Sequence, residues 1–182
     1  MFTYRLDEES YLKLLDLEDT KAVFALVDSN RDHLRQWLPW VDDTRNAADS
    51  RVFIEGAKKQ FAENNGFQVG IWYKGELAGV AGFHEMDWKD RKTEIGYWLG
   101  ESFQRNGLMT KTCRALLDHA FGSLELNRVE ICCGTGNVKS QGVPERLGFT
   151  KEGTIRDNER VNGRFISHHV FGLLRSEWKE ER

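Results

Sequence analysis

The residues with the clearest chemical potential lie where an alternating apolar run meets a glycine-bearing loop and then a helical stripe. The run is Thr93-Glu94-Ile95-Gly96-Tyr97-Trp98-Leu99, the loop extends from Gly100 to Gly107, and the stripe is Met109, Cys113, Leu116, Leu117 and Ala120. A loop ending at a helix N-terminus presents backbone N–H groups without intrahelical partners and the positive end of the helix dipole, the elements of a pyrophosphate cradle. Gly107 lets the chain bend and come close to phosphate oxygens, and Arg105 adds charge beside it. The same spacing also describes a plain turn before a helix. The segment has neither the three-glycine fingerprint of a dinucleotide fold nor the Gly-Lys-Ser/Thr of a P-loop. The run Arg156-Asp157-Asn158-Glu159-Arg160 reads by itself as a solvated, charged loop.

Other chemistries find little support. The three cysteines, Cys113, Cys132 and Cys133, form no C-x-x-C pair, so a disulfide framework or zinc site is not expected, and they read as packing residues. The five histidines show no metal spacing, and His168 and His169 are strand neighbours that point to opposite faces. A net charge of −3 gives no basic surplus for nucleic acid and fits a basic partner slightly better. No apolar run approaches the length of a membrane span, and the acidic start Asp7-Glu8-Glu9 is unlike a signal peptide, which predicts a cytoplasmic protein.

The elements that must position these residues follow from periodicity. With 182 residues, 40% hydrophobic and 30% charged, and with no repeat or linker, residues 1–182 are expected to form one domain. The opening to about Leu17 alternates weakly as a strand. Asp19 caps a helix over residues 21–30 that carries Val23, Leu26 and Val27 on one face. A second helix begins near Asp49 or Ser50 with Phe53, Ala57 and Phe61 as its stripe and ends at Asn64-Asn65-Gly66. Residues 67–73 and 76–83 form a hairpin around Lys74-Gly75, and residues 93–99 add a third strand. After the helix at Met109, residues 128–133 form a strand and 137–147 a short helix, with Pro144 near its start. Residues 149–178 supply two strands joined through Val161-Asn162-Gly163. The fold class is α/β: a mixed, mostly antiparallel sheet with helices on both faces and one parallel strand–helix–strand unit.

Gln104-Arg105-Asn106-Gly107-Leu108-Met109-Thr110 ahead of an amphipathic helix resembles the acetyl-CoA motif of the GCN5-related N-acetyltransferase (GNAT) superfamily. Met109 stands where the general motif has a small residue, as in the variant found in the ribosomal-protein N-terminal acetyltransferases. Asn137-Val138-Lys139-Ser140, Glu145-Arg146-Leu147-Gly148-Phe149, Glu152-Gly153 and His33-Leu34-Arg35-Gln36-Trp37-Leu38-Pro39-Trp40 are similar to the bacterial serine/alanine subgroup, in order along nearly the whole chain.

The resemblance implies a sheet splayed at the cofactor site and transfer of an acetyl group from acetyl-CoA to an amine, first of all a protein N-terminus. Backbone groups of Tyr97, Trp98 and Leu99 would pair with pantetheine, and those from Gln104 and Arg105 through Thr110 would hold the pyrophosphate. Asn137 would bond the pantetheine arm, or serve only as a loop or cap residue. Ser140 would protonate the thiolate, with an N-cap role as the alternative. Glu159 would be the general base, with Glu94 second and Glu85 third. Trp37, Pro39 and Trp40 would line the acceptor groove, plug the sheet, or meet a second subunit; the last suggests a homo-dimer or larger. Ser167-His168 stands where relatives often carry an acidic residue, which leaves the acceptor open between a protein and a small amine, and a non-catalytic acyl-CoA-binding module remains as the alternative to an enzyme.

Overall fold

The computed structural model describes residues 3–179. One eight-stranded sheet runs through them in the order β1-β2-β3-β4-β5-β6-β8-β7. The strands are β1 (Thr3–Arg5), β2 (Ser10–Leu14), β3 (Gln68–Tyr73), β4 (Glu76–Asp87), β5 (Lys92–Leu99), β6 (Arg128–Gly134), β7 (Thr150–Val161) and β8 (Arg164–Leu174). All pairs are antiparallel except β5 with β6, which the intervening helix α4 (Leu108–Asp118) requires to be parallel. The mixed α/β architecture expected from the pattern is the one observed.

The hairpin turns form where the backbone can adopt positive φ. Lys74 and Gly75 sit at φ 51° and 84°, and Asn162 and Gly163 at 49° and 84°, the paired left-handed geometry that suits the twist of a two-residue hairpin. The N-terminal segment is a hairpin rather than one strand. Asp7 closes its turn by accepting from the N–H groups of Glu9 and Ser10 at 2.9 and 2.8 Å.

Two apolar clusters place helices on both faces. Along β5, Tyr97 and Leu99 pack with Leu108, Cys113 and Leu117 on one side. Trp98 packs on the other with Val23 and Leu26 of α1 (Thr20–Ser29), and beyond them with Val27 of α1 and Leu34 of the short helix α2 (Arg31–Leu34). The α1 stripe is the predicted one, but Asp19 does not cap it. Its carboxylate is buried, receiving Lys13 Nζ at 2.5 Å and the Asp16 N–H at 2.9 Å.

The helix α3 (Ala47–Ala62) starts earlier than expected because Asn46 and Asp49 form a reciprocal capping box, with Asp49 its third residue. Its buried face is Ser50, Ile54 and Ala57, whereas Phe53 and Phe61 are exposed. Strict spacing by four overshoots the 3.6-residue turn and walks off the contact face. In α5 (Val138–Arg146) the N-cap is Asn137, which accepts the Ser140 N–H at 3.2 Å; Ser140 is the third helical residue, and Pro144 lies in the interior rather than near the start.

Candidate active site

The strands β5 and β6 pair only at Lys92, Thr93 and Glu94, opposite Arg128, Val129 and Glu130. Past Glu94 they part. Residues 95–99 keep β4 on one side, Ile95 opposite Phe83 through Leu99 opposite Gly79, and have no β6 partner on the other. The peptide groups of Tyr97, Trp98 and Leu99 therefore stand on a strand edge inside the sheet, open to pairing by an extended molecule.

The loop beyond carries the second feature. Arg105 and Gly107 adopt φ 66° and 70°, and Gly107 caps α4 in the left-handed conformation. Among the described residues, the N–H groups of residues 105–110 find no acceptor, and the first of the series that does is Lys111, on the Gly107 carbonyl at 3.1 Å. Six unserved donors at a helix N-terminus make an anion site. Side chains brace the loop. Gln104 bonds His33 Nε2 at 3.0 Å through Nε2 and accepts Lys139 Nζ at 3.0 Å on Oε1. Thr110 Oγ1 receives Arg146 Nη2 at 3.1 Å, joining α4 to α5. Met109 is buried in the core, so its bulk points away from the donors.

Where the strands part lies a cavity of about 760 Å³, the size of a ligand site. Tyr97, Trp98, Asn137, Ser140, Glu94 and Glu159 all line it, and so do Trp37, Pro39 and Trp40. Leu99 and residues 104–110 stand outside its wall, on the flanking loop, and Glu85 does not reach it. Trp37 lies against Gly134 and Gly136, where a Cβ would come within 3.2 Å of its ring, and Trp40 packs on Trp98 at 5.7 Å between centroids. Both tryptophans are half-buried against the chain's own sheet.

Glu159 enters the cavity through a break in register. The hairpin pairs Ile155 with His168, then Glu159 with Ile166, so residues 156–158 bulge out. Asp157, at φ 48°, anchors the bulge by donating its N–H to Ser167 Oγ at 3.0 Å. Such bulges re-aim side chains, and Glu159 is half-buried after nine exposed residues of β7, two positions before the buried Val161. Asn158 Nδ2 meets His168 Nδ1 at 3.0 Å. With that nitrogen accepting, the proton sits on Nε2, which lies 3.6 Å from Glu159 Oε2.

Sequence reasoning set aside several residues that the structure brings here. His168 and His84 line the cavity. A second register shift, between Phe83 and Met86, carries His84 over Gly96, where any Cβ would collide with its ring. His84 Nδ1 lies 3.5 Å from Glu94 Oε1, and the Glu94 hydrogen bond, with the charges of Glu94 and Glu159 adding, raises its pKa. Cys132 and Cys133 are cavity residues too. Burial pushes the Cys132 thiol up to about 12, so it stays protonated at neutral pH. Only the bulges, which no periodicity announces, bring the histidines in.

A model of the acetyltransferase (GNAT) domain matches residues 11–150. YdaF of Bacillus subtilis (strain 168) is 39% identical over 183 residues, covering 100% of both chains. The ribosomal-protein-serine acetyltransferase of Escherichia coli (strain K12) is 29% identical over 172 residues, 94% of this chain and 96% of that one. A crystal structure of RimL, a ribosomal L7/L12 alpha-N-protein acetyltransferase in complex with coenzyme A, matches with a TM-score of 0.91 at 26% identity, over 95% of this chain and 98% of the other. With an open strand edge leading to an anion-binding helix start, and with these similarities along its length, the chain belongs to the GNAT family and is an acetyl-CoA-dependent N-acetyltransferase.

Proposed function

We propose that the acceptor is the N-terminal amine of a protein, with Ser- or Ala-starting ribosomal proteins as first candidates, and that residues 1–182 act as one catalytic domain. Such a substrate would be met in the cytoplasm. One observation carries the assignment of roles: Ser140 of α5 and Glu159 of β7 line the same cavity, beside the point where β5 and β6 part. The E. coli relative, a ribosomal-protein-serine acetyltransferase, supports the acceptor class.

In this reading the free edge at Tyr97, Trp98 and Leu99 binds the pantetheine amides, and the donors from Arg105 to Thr110 bind the pyrophosphate. Asn137 spends its Oδ1 on the helix cap and keeps Nδ2 to donate to the pantetheine arm. Trp37 and Trp40 wall the acceptor side. Holding amine and thioester together supplies much of the rate, and two proton transfers complete it. As the N–C bond forms, Glu159 takes the amine proton, directly or through water. As the C–S bond breaks, the Ser140 hydroxyl gives the thiolate a proton and recovers one from solvent. His168 turns its Nε2–H to Glu159 across 3.6 Å.

Thiol release from acetyl-CoA tests this, with peptides beginning Ser, Ala or Met and with spermidine and lysine as rival acceptors. Turnover of Ser or Ala peptides that falls in Glu159→Gln and Ser140→Ala is the expected result. Turnover of the small amines alone moves the acceptor to a metabolite and leaves the cofactor site standing.

A further inference from the structure

Pro144 lies inside α5, where an amide would donate to the carbonyl four residues back. That carbonyl belongs to Ser140. It receives the hydroxyl of Tyr97 from β5 instead, at 2.8 Å. Ser140 Oγ in turn donates to the same Tyr97 Oη at 3.3 Å. Cys133 Sγ closes the cluster, 3.4 Å from Ser140 Oγ and 3.9 Å from Tyr97 Oη. Tyr97 therefore holds one residue at two atoms, from the strand whose edge opens to the cofactor. Burial raises the phenol's pKa well above its ordinary value, so it keeps the proton that the carbonyl needs. A serine in a helix otherwise tends to bond back to a carbonyl of its own helix.

We propose that Tyr97 is a positioning residue: its hydroxyl, anchored on the carbonyl that proline leaves unserved, holds the Ser140 oxygen at the cavity wall where the thiolate departs, and the Ser140 proton turns from Tyr97 Oη to the sulfur as the C–S bond breaks. The proposal rests on the proton-donor role assigned to Ser140 above. It gives Pro144 a reason to be in a helix interior, where proline costs stability: removing one amide creates the acceptor that Tyr97 uses. It also differs from the backbone role of Tyr97 toward pantetheine, because it lies wholly in the phenolic oxygen.

The test is a set of variants read by steady-state kinetics and thermal melting. Tyr97→Phe is expected to lower kcat roughly tenfold, less than the loss of a proton donor itself, because Tyr97 only positions Ser140, with KM for acetyl-CoA unchanged. Combined with Ser140→Ala, it should slow the enzyme no further than Ser140→Ala alone, as two parts of one device do. Adding Pro144→Ala to Tyr97→Phe restores an N–H to the Ser140 carbonyl, so Tm should recover while kcat does not. Recovery of kcat together with Tm would show that only the carbonyl matters and overturn the proposal. Full multiplication of the Tyr97→Phe and Ser140→Ala effects, or a parental rate in Tyr97→Phe with a slow Ser140→Ala, would also overturn it while sparing the serine. A parental rate in Ser140→Ala would remove the serine assignment itself.

Discussion

The two ends of the site are made in different ways. Under the proposed roles, the cofactor end is one stretch of chain, residues 95–110, which offers peptide N–H and C=O groups on an unpaired edge and a helix start. The acceptor end would be assembled from cavity side chains of separate segments: Glu94 of β5, Ser140 of α5, Glu159 of β7, His168 of β8 and the tryptophans before α3. Backbone binding tolerates change of side chain as long as φ and ψ survive, which is why Met109 can replace a small residue by turning into the core. Side-chain catalysis tolerates change of neither type nor register.

The ends should therefore fail differently. The largest effect belongs to the acceptor end: Glu159→Gln is expected to cut kcat by about 10²-fold or more, on the scale of a lost general base, with KM for acetyl-CoA unaltered in initial-rate assays. Equal loss in both constants would erase the contrast. At the cofactor end, the Cβ of Gly107→Ala meets only Lys111 Cε at 3.8 Å, so space is not limiting. The cost is the left-handed backbone, about 1–2 kcal/mol, equivalent to about tenfold in Kd. Calorimetry with coenzyme A should show that weakening, with kcat at saturation close to parental; a lost kcat with normal affinity would contradict it.

Trp40→Ala removes the tilted contact with Trp98, worth about 0.5–1.5 kcal/mol. KM for the acceptor peptide should rise a few-fold, and coenzyme A affinity should hold. The smallest effect concerns His84, whose pKa the Glu94 hydrogen bond raises. The folded state then binds the proton more tightly than the unfolded one, so the pair's stability is fully present below about 6.5, the ordinary histidine value, and is lost as pH rises through the folded value. With 56% and 34% of the two side chains exposed, the effect is slight. His84→Gln should flatten the fall of Tm across that window, and an unchanged slope would show that the pair contributes nothing.

Legibility followed the same division. The α4 stripe of Met109, Cys113, Leu116, Leu117 and Ala120 is buried as its period predicts, and the Lys74-Gly75 and Asn162-Gly163 turns fall where they were read. The errors came where one side chain had several possible partners. Asp19 looks like a cap in sequence, but the buried Lys13 ammonium of β2, six residues earlier, claims its carboxylate, because an unpaired buried charge costs more than an unfilled cap. Ser140 and Asn137 were both readable as caps; the position three residues earlier has the geometry for it. His84 and His168 were set aside because neither has a cluster in sequence, and each reaches the cavity only through a register break.

The sequence by itself determined the backbone chemistry of this protein. Left-handed residues, helix stripes and the strand–loop–helix order arise from sterics and periodicity over a few residues, and they specify a glycine-bearing loop ahead of a helix start on a mixed sheet. The tertiary structure alone decided which carboxylate faces the cavity, which hydroxyl answers the carbonyl freed by Pro144, and which histidines stand beside them. Those outcomes depend on where β5 and β6 part and where β4 and β7 bulge, and a one-residue change of register turns a side chain to the other face.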